Sequence, residues 1–197
     1  MTLQEHTIRE ATPDDATALA ELINFAGEGM PLYLWSKRAE PGQSPWDVGR
    51  ARARRTEGGF SYRNAFVCEI DSKIAAMLLG YSLPDDPVPI GPDMPAMFVP
   101  LQELENLAPG SWYVNVLAAY PEHRGKGLGS RLLDLAEDLA READHRTLSI
   151  IVSDANAGAR RLYAKCGFAE IANRPLVKDD WVNPGKNWVL LTKALAD

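Results

Sequence analysis

Ten residues constrain this chain more than any others: Pro121-Glu122-His123-Arg124-Gly125-Lys126-Gly127-Leu128-Gly129-Ser130. Before them comes a run of β formers, Trp112, Tyr113, Val114, Val116 and Leu117. After them Leu128, Leu132, Leu135 and Leu139 recur at helical spacing, with Arg131, Asp134, Glu137 and Asp138 between them. A strand that turns through glycines straight into a helix presents unpaired N–H groups and a partial positive charge to whatever lies in front of it. Glycines remove the Cβ atoms that would hold an anion away. Each anionic charge in such a place gains about 0.3–1 kcal/mol, and up to about 2 kcal/mol when partly buried. Arg124 and Lys126 add positive charge to a chain whose net charge is −6. The segment therefore predicts a phosphate-binding turn.

The flanking sequence alternates strand and helix signals. Thr7–Ala11 reads as a short strand, followed by a helix in which Thr12 caps, Pro13 suits the first turn and Ala16, Leu19, Ala20, Leu22 and Ile23 form an apolar face. Residues 31–55 are mostly helical in pattern, broken at Glu40-Pro41-Gly42 and ended by Gly58-Gly59. Arg50, Arg52, Arg54 and Arg55 read there as a solvated helix face. Ala65–Ile70 and Ile74–Tyr81 form a hairpin about Asp71-Ser72-Lys73. From Pro84 to Gly110 seven prolines oppose regular structure, although Phe98, Leu101, Leu104 and Leu107 suit a short helix. This insertion is either a binding loop or inert decoration. Thr147–Val152 is a buried strand, Asn156–Lys165 a helix stopped by Gly167, and Phe168–Ile171 and Trp188–Leu191 are closing strands. Such interleaving indicates a mixed α/β sheet in one domain of 197 residues, with an insertion at about 84–110.

Three phosphate loops compete for the glycine segment. A Walker A loop needs Gly-x-x-x-x-Gly-Lys-Ser/Thr, but Gly127 follows Gly125-Lys126 and no glycine stands five places upstream. A dinucleotide fingerprint needs Gly-x-Gly-x-x-Gly, and Ser130 stands where its last glycine belongs. The pattern Arg/Gln-x-x-Gly-x-Gly/Ala is met by Arg124, Gly127 and Gly129. With the preceding Val116–His123, the segment resembles the acetyl-CoA-binding motif of the GNAT acetyltransferases. A second segment, Asp154–Phe168 with Asn156 and Leu162-Tyr163-Ala164-Lys165-Cys166-Gly167-Phe168, is similar to that family's Asn…Leu-Tyr-x-Lys-x-Gly-Phe signature. The resemblance covers roughly residues 112–171 and implies a GNAT-like mixed, mostly antiparallel sheet flanked by helices.

It also implies roles. Main-chain N–H groups from Arg124, Gly125, Lys126, Gly127, Leu128 and Gly129, with Ser130, would hold the CoA pyrophosphate. Leu117, Ala118 and Ala119 would pair their backbone with the pantetheine arm, one N–H near Leu117 or Ala118 polarising the thioester carbonyl. Asn156 would bond the CoA arm or, alternatively, cap its helix. Tyr163 would protonate the departing thiolate, or else is a core tyrosine on a helix face; a phenol of pKa about 10 holds its proton at pH 7. Arg160, Arg161 and Lys165 are equally readable as phosphate contacts or as solvated charge. Many members of the family use a Glu on the strand before the loop, where this chain has Tyr113 and Asn115. The base is thus left among Glu69, Glu103, Glu105 and a water ordered by Asn115 or Tyr113.

The expected reaction is direct acetyl transfer from acetyl-CoA, as co-substrate, to a primary amine of a small molecule or peptide. The alternatives are a catalytically silent acyl-CoA sensor or interaction module, and a transferase of longer acyl groups. Asp85, Asp86, Asp93, Glu103 and Glu105 either favour a cationic acceptor or simply keep the surface soluble. An acidic chain of pI about 5.1 argues against nucleic acid or an anionic membrane as partner. Cys68 and Cys166 lie in no ligand-spaced cluster, so no metal is expected. Met1–His6 carries no secretory pattern, and no apolar run spans a bilayer, which suggests a cytoplasmic protein. A homodimer is left open.

Overall fold

The computed structural model describes residues 6–196, so Met1–Glu5 of the N-terminal stretch read above lie outside the described residues. Seven strands make one sheet in the order β1-β2-β3-β4-β5-β7-β6. They are β1 His6–Glu10, β2 Ala65–Ile70, β3 Lys73–Ser82, β4 Trp112–Ala119, β5 Thr147–Ser153, β6 Ala169–Pro175 and β7 Asn187–Ala194. The helices are α1 Ala16–Ala26, α2 Met30–Ser36, α3 Pro45–Ala53, α4 Val99–Glu105, α5 Leu128–Glu142 and α6 Ala157–Lys165. β4 and β5 pair in parallel, whereas β1/β2, β2/β3, β5/β7 and β6/β7 are antiparallel. The sheet is mixed and mostly antiparallel, as the GNAT resemblance implies.

The chain divides into two compact units, Met1–Gly80 with Asn115–Leu132 and Tyr81–Val114 with Leu133–Asp197. In the first, Asp71 and Ser72 adopt φ of 51° and 60°, the left-handed pair that closes a two-residue hairpin between β2 and β3. Arg9 on β1 bonds Asp15 at 2.8 Å and Glu69 at 2.6 Å, tying the edge strand to β2 and to the turn before α1. The Asp15 carboxylate also accepts from the Thr12 N–H at 2.7 Å, and with Arg9 this holds its pKa below the ordinary range. α1 buries the expected Ala16, Leu19, Ala20, Leu22 and Ile23. α2 and α3 pack closely, because Gly49 lets the Trp35 ring lie on the α3 backbone; a Cβ there would stand 2.5 Å from a ring carbon.

In the second unit the proline-rich insertion is a strapped structure. Leu83 N–H donates to Ser111 O at 2.8 Å and Gly110 N–H to Pro84 O at 3.0 Å, pinching its two ends together. His145 adds a clasp, with Nδ1 2.7 Å from the Gly110 carbonyl and Nε2 2.6 Å from the Ser82 hydroxyl. A carbonyl only accepts, so Nδ1 carries the proton and Nε2 accepts from Ser82. Asn106 exchanges two 2.9 Å bonds with the Val88 main chain. α4 packs on β6 and β7, pinned by Arg174–Glu103 at 2.6 Å. Of the four residues expected to pack this helix, Leu104 is fully buried while Leu107, beyond its end, is exposed.

Two expectations need correction. The buried face of α5 is Leu128, Leu132, Leu133, Ala136 and Ala140, with Leu135 and Leu139 only part-buried. The buried stripe runs through Ala136 and Ala140, which a count of leucines overlooks. The arginines of α3 are also not a uniform solvated face. The helix ends at Ala53, and part-buried Arg52 lies over the Phe60 ring, 6.0 Å from its centroid.

Candidate functional site

The glycine segment folds as a single turn of 3-10 helix, Pro121–His123, followed by a loop into α5. Gly125 and Gly127 take φ of 75° and 82°, where any other residue is strained, and a Cβ at either would meet nothing within 4 Å. Open space in front of both is what a bound group approaching the main chain requires. Among the described residues, the N–H groups of Gly125, Lys126, Gly127, Leu128 and Gly129 meet no protein acceptor. They stand at the positive end of a 15-residue helix. The Arg124 N–H is different: it donates to Pro121 O at 3.3 Å, and so belongs to the turn. The Arg124 side chain braces the loop, with Nε donating to Ala119 O at 3.2 Å and the guanidinium 5.7 Å from the Phe25 centroid. Tyr120 anchors the other side, its hydroxyl donating to Glu21 at 2.5 Å, so burial and this carboxylate both raise the phenol pKa.

β4 pairs in parallel with β5 over Trp112–Val114. Further along the strand, Leu117, Ala118 and Ala119 are part-exposed. Main chain of this kind, where its N–H and C=O groups are open, can take up an added extended group.

The second unit contains a separate constellation. Tyr113 on β4 is buried, with its ring 5.8 Å from that of Tyr81 in an edge-on arrangement. Burial drives its pKa well up, and Glu105, Tyr81 and Tyr163 are near enough to push it further. Tyr163 on α6 is 5% exposed and packs on Phe168 at 5.9 Å. Its phenol pKa is raised, chiefly by burial and then by Cys166. Glu105 ends α4, and among the described residues its carboxylate has no hydrogen bond or ion pair. Burial pushes its pKa up to about 7 from an ordinary 4.5. The cleft beside it, bounded by Leu83, Pro84, Asp86 and Gln102, encloses about 20 Å³, room for a water.

These observations sort the acidic candidates. Glu69 is bonded to Arg9, and Glu103 is bonded to Arg174. Glu105 alone of the three is left without a cation, and it stands among the tyrosines. Asn156 caps α6: its Oδ1 accepts from the Ala159 N–H at 3.1 Å, so the helix begins at Ala157. Arg160 pairs with Glu170 at 2.9 Å, which makes it surface charge on α6. Gly167, at φ 90°, ends that helix as expected, and its N–H donates to Ala164 O at 3.1 Å. Nothing in the sequence singles out Tyr81, because a tyrosine at a strand end signals little until its partner Tyr113 is placed. Cys68 and Cys166 are thiols, not joined in a disulfide. No helix of the described residues is long and apolar enough to cross a membrane.

Comparison with known proteins adds to this geometry. The sequence profile of the acetyltransferase (GNAT) family matches residues 31–168. A curated relative from Methanocaldococcus jannaschii, an uncharacterized N-acetyltransferase, is 26% identical over 168 residues, covering 85% of this chain. The chain spans 62% of that relative's length. The solved structure of a mosquito arylalkylamine N-acetyltransferase like 5b superposes with a TM-score of 0.67 at 19% identity, over 97% of this chain and all of the other. A GNAT family acetyltransferase from Elizabethkingia anophelis, solved with acetyl-CoA bound, gives a TM-score of 0.50 at 17% identity, over 66% of this chain and 75% of its own. At these identities the solved structures establish a shared fold.

Proposed function

Because this chain belongs to the acetyltransferase (GNAT) family, we propose that it transfers an acetyl group from acetyl-CoA to a primary amine of a small molecule or peptide by direct attack. The observation that carries this reading is the set of five unmet N–H groups at the start of α5, with open space before Gly125 and Gly127. That donor set fits a diphosphate. Acetyl-CoA would supply the activated acyl group. Gly125, Lys126, Gly127, Leu128 and Gly129 would hold its phosphates, and the part-exposed main chain of Leu117–Ala119 would align its extended arm.

Two proton movements are required of the protein. An alkylammonium of pKa about 10.4 must lose a proton, at a cost of about 4–5 kcal/mol at pH 7. Glu105, titrating at about 7, is half ionised at neutral pH and is matched to that task. Tyr163 keeps its proton throughout the neutral range, since its pKa is raised, and so retains a proton for the departing sulfur. Asn156 serves first as a helix cap, and its amide would reach the cofactor arm only through the group left after capping. Thiol release from acetyl-CoA, followed across a panel of amines, tests the proposal. Acceptor-dependent release supports it.

The absence of any acid from β4, where Tyr113 and Asn115 stand, favours a second reading as a silent acyl-CoA sensor. Tight CoA binding without release by any amine would select that reading instead.

A further inference from the structure

Arg38, Arg52 and Arg55 form a cluster that the transfer chemistry does not use. The contact of Trp35 with Gly49 brings α2 against α3, and Trp46 closes on Trp35 edge-on at 5.9 Å. Arg38 follows α2, its N–H donating to Trp35 O at 3.0 Å. Arg52 lies in the last turn of α3, and Arg55 follows one turn later, its N–H donating to Arg52 O at 3.2 Å. Arg52 is part-buried over Phe60. Burial lowers its pKa first, and the charges of Arg38 and Arg55 lower it further, so both guanidinium groups lie within electrostatic reach of Arg52.

None of the three has a carboxylate partner among the described residues, whereas nearby Asp47 is taken by Arg50 at 2.5 Å. A helix C-terminus welcomes cations in its last turn, which accounts for single arginines here. It does not account for drawing three like charges together and desolvating the middle one, in a chain whose net charge is −6. Such an arrangement costs the folded protein unless an anion joins it. Guanidinium forks match carboxylate and phosphate oxygens in pairs, and the Phe60 ring gives the site an apolar floor.

We propose that Arg38, Arg52 and Arg55 form a binding site for an oxyanion, a carboxylate or phosphate carried by a ligand of this protein. The site stands on its own geometry and does not depend on the acetyltransferase reading. Two ligands present that chemistry to such an enzyme: an acceptor amine with an acidic group, and the nucleotide phosphate of the acyl donor.

The test uses the full chain at low salt, titrated by calorimetry with inorganic phosphate and, separately, with succinate. Arg38→Gln and Arg55→Gln alter exposed side chains and threaten the fold least; Arg52→Gln alters the centre; Lys73→Gln, exposed at the start of β3, controls for net charge. Saturable binding to the wild type, weakened about tenfold or more by each arginine substitution but not by Lys73→Gln, is expected. Melting temperatures of Arg38→Gln and Arg55→Gln should stay level or rise, because repulsion is relieved. Absence of saturable binding of either anion, equal weakening in the control, or a shared fall in melting temperature each overturns the proposal. Titration with CoA and dephospho-CoA then identifies the source. A nucleotide phosphate requires Arg38→Gln to weaken CoA more than dephospho-CoA. An acceptor group requires CoA affinity to be unchanged and KM to rise for carboxylated but not neutral amines. CoA binding to the wild type is a separate readout, so failure of the anion site and failure of the acetyltransferase reading are told apart.

Discussion

Replacing Glu105 by glutamine separates what that carboxylate costs the fold from what it gives the chemistry. In the unfolded chain the group releases its proton near 4.5, while in the native protein burial holds the proton until about pH 7. Between those values the native state binds more protons than the unfolded state, so stability falls as pH rises through the window and levels off above it. At 1.36 kcal/mol per pH unit, the ionised form carries a penalty of about 3 kcal/mol at pH 8 and less than about 1 kcal/mol at pH 5. The substituted amide would be neutral throughout and of nearly the same shape. Urea denaturation should therefore find Glu105→Gln more stable than wild type by about 2–3 kcal/mol at pH 8, with the gain mostly gone at pH 5. A chain of this size should melt about 5–10 °C higher at pH 8. The substitution should also lower kcat/KM and remove its ascending limb near pH 7. A stability gain that does not depend on pH refutes the burial reasoning, and a limb that survives in Glu105→Gln refutes the base assignment.

Other substitutions examine single contacts. Tyr163→Phe should lower kcat while leaving CoA affinity alone, and unchanged turnover would remove its role as proton donor. Asn156→Ala should destabilise the chain by about 1 kcal/mol through loss of the α6 cap, whereas Asn156→Asp keeps the cap. If the Asn156 amide also holds the cofactor arm, calorimetry will find CoA affinity lowered by the Asp variant at full stability. Gly127→Ala should cost about 1–2 kcal/mol in chemical denaturation, from its φ of 82° alone, since nothing lies within 4 Å of the new methyl. A much larger loss would mean that the loop is packed rather than open.

Most elements are legible from local signals, because each carries its own chemistry. The Asp71-Ser72 turn, the capped start near Thr12 and the Gly167 stop each depend on neighbours in the chain, and each is found where the residues place it. Partnership across the fold is less legible. Three glutamates look alike until Arg9 and Arg174 claim two of them. Arg52 looks solvated until Phe60, distant by a loop, comes beneath it. The α5 face is misread for a similar reason. Leucines announce an apolar stripe, but alanine is apolar too, and here Ala136 is buried while Leu135 is only part-buried. The glycine loop is readable because its shape rests on main chain, and glycine spacing is main-chain geometry written directly in sequence.

The proposed function turns on a diphosphate binding at the start of α5, and calorimetry with CoA at low salt tests it most directly, comparing the wild type with Gly127→Glu. The wild type should give saturable heat. Gly127→Glu, still folded by circular dichroism, should give none, because its carboxylate occupies the space the phosphates need. No heat from the wild type, or equal binding by both proteins, would contradict that role for the loop.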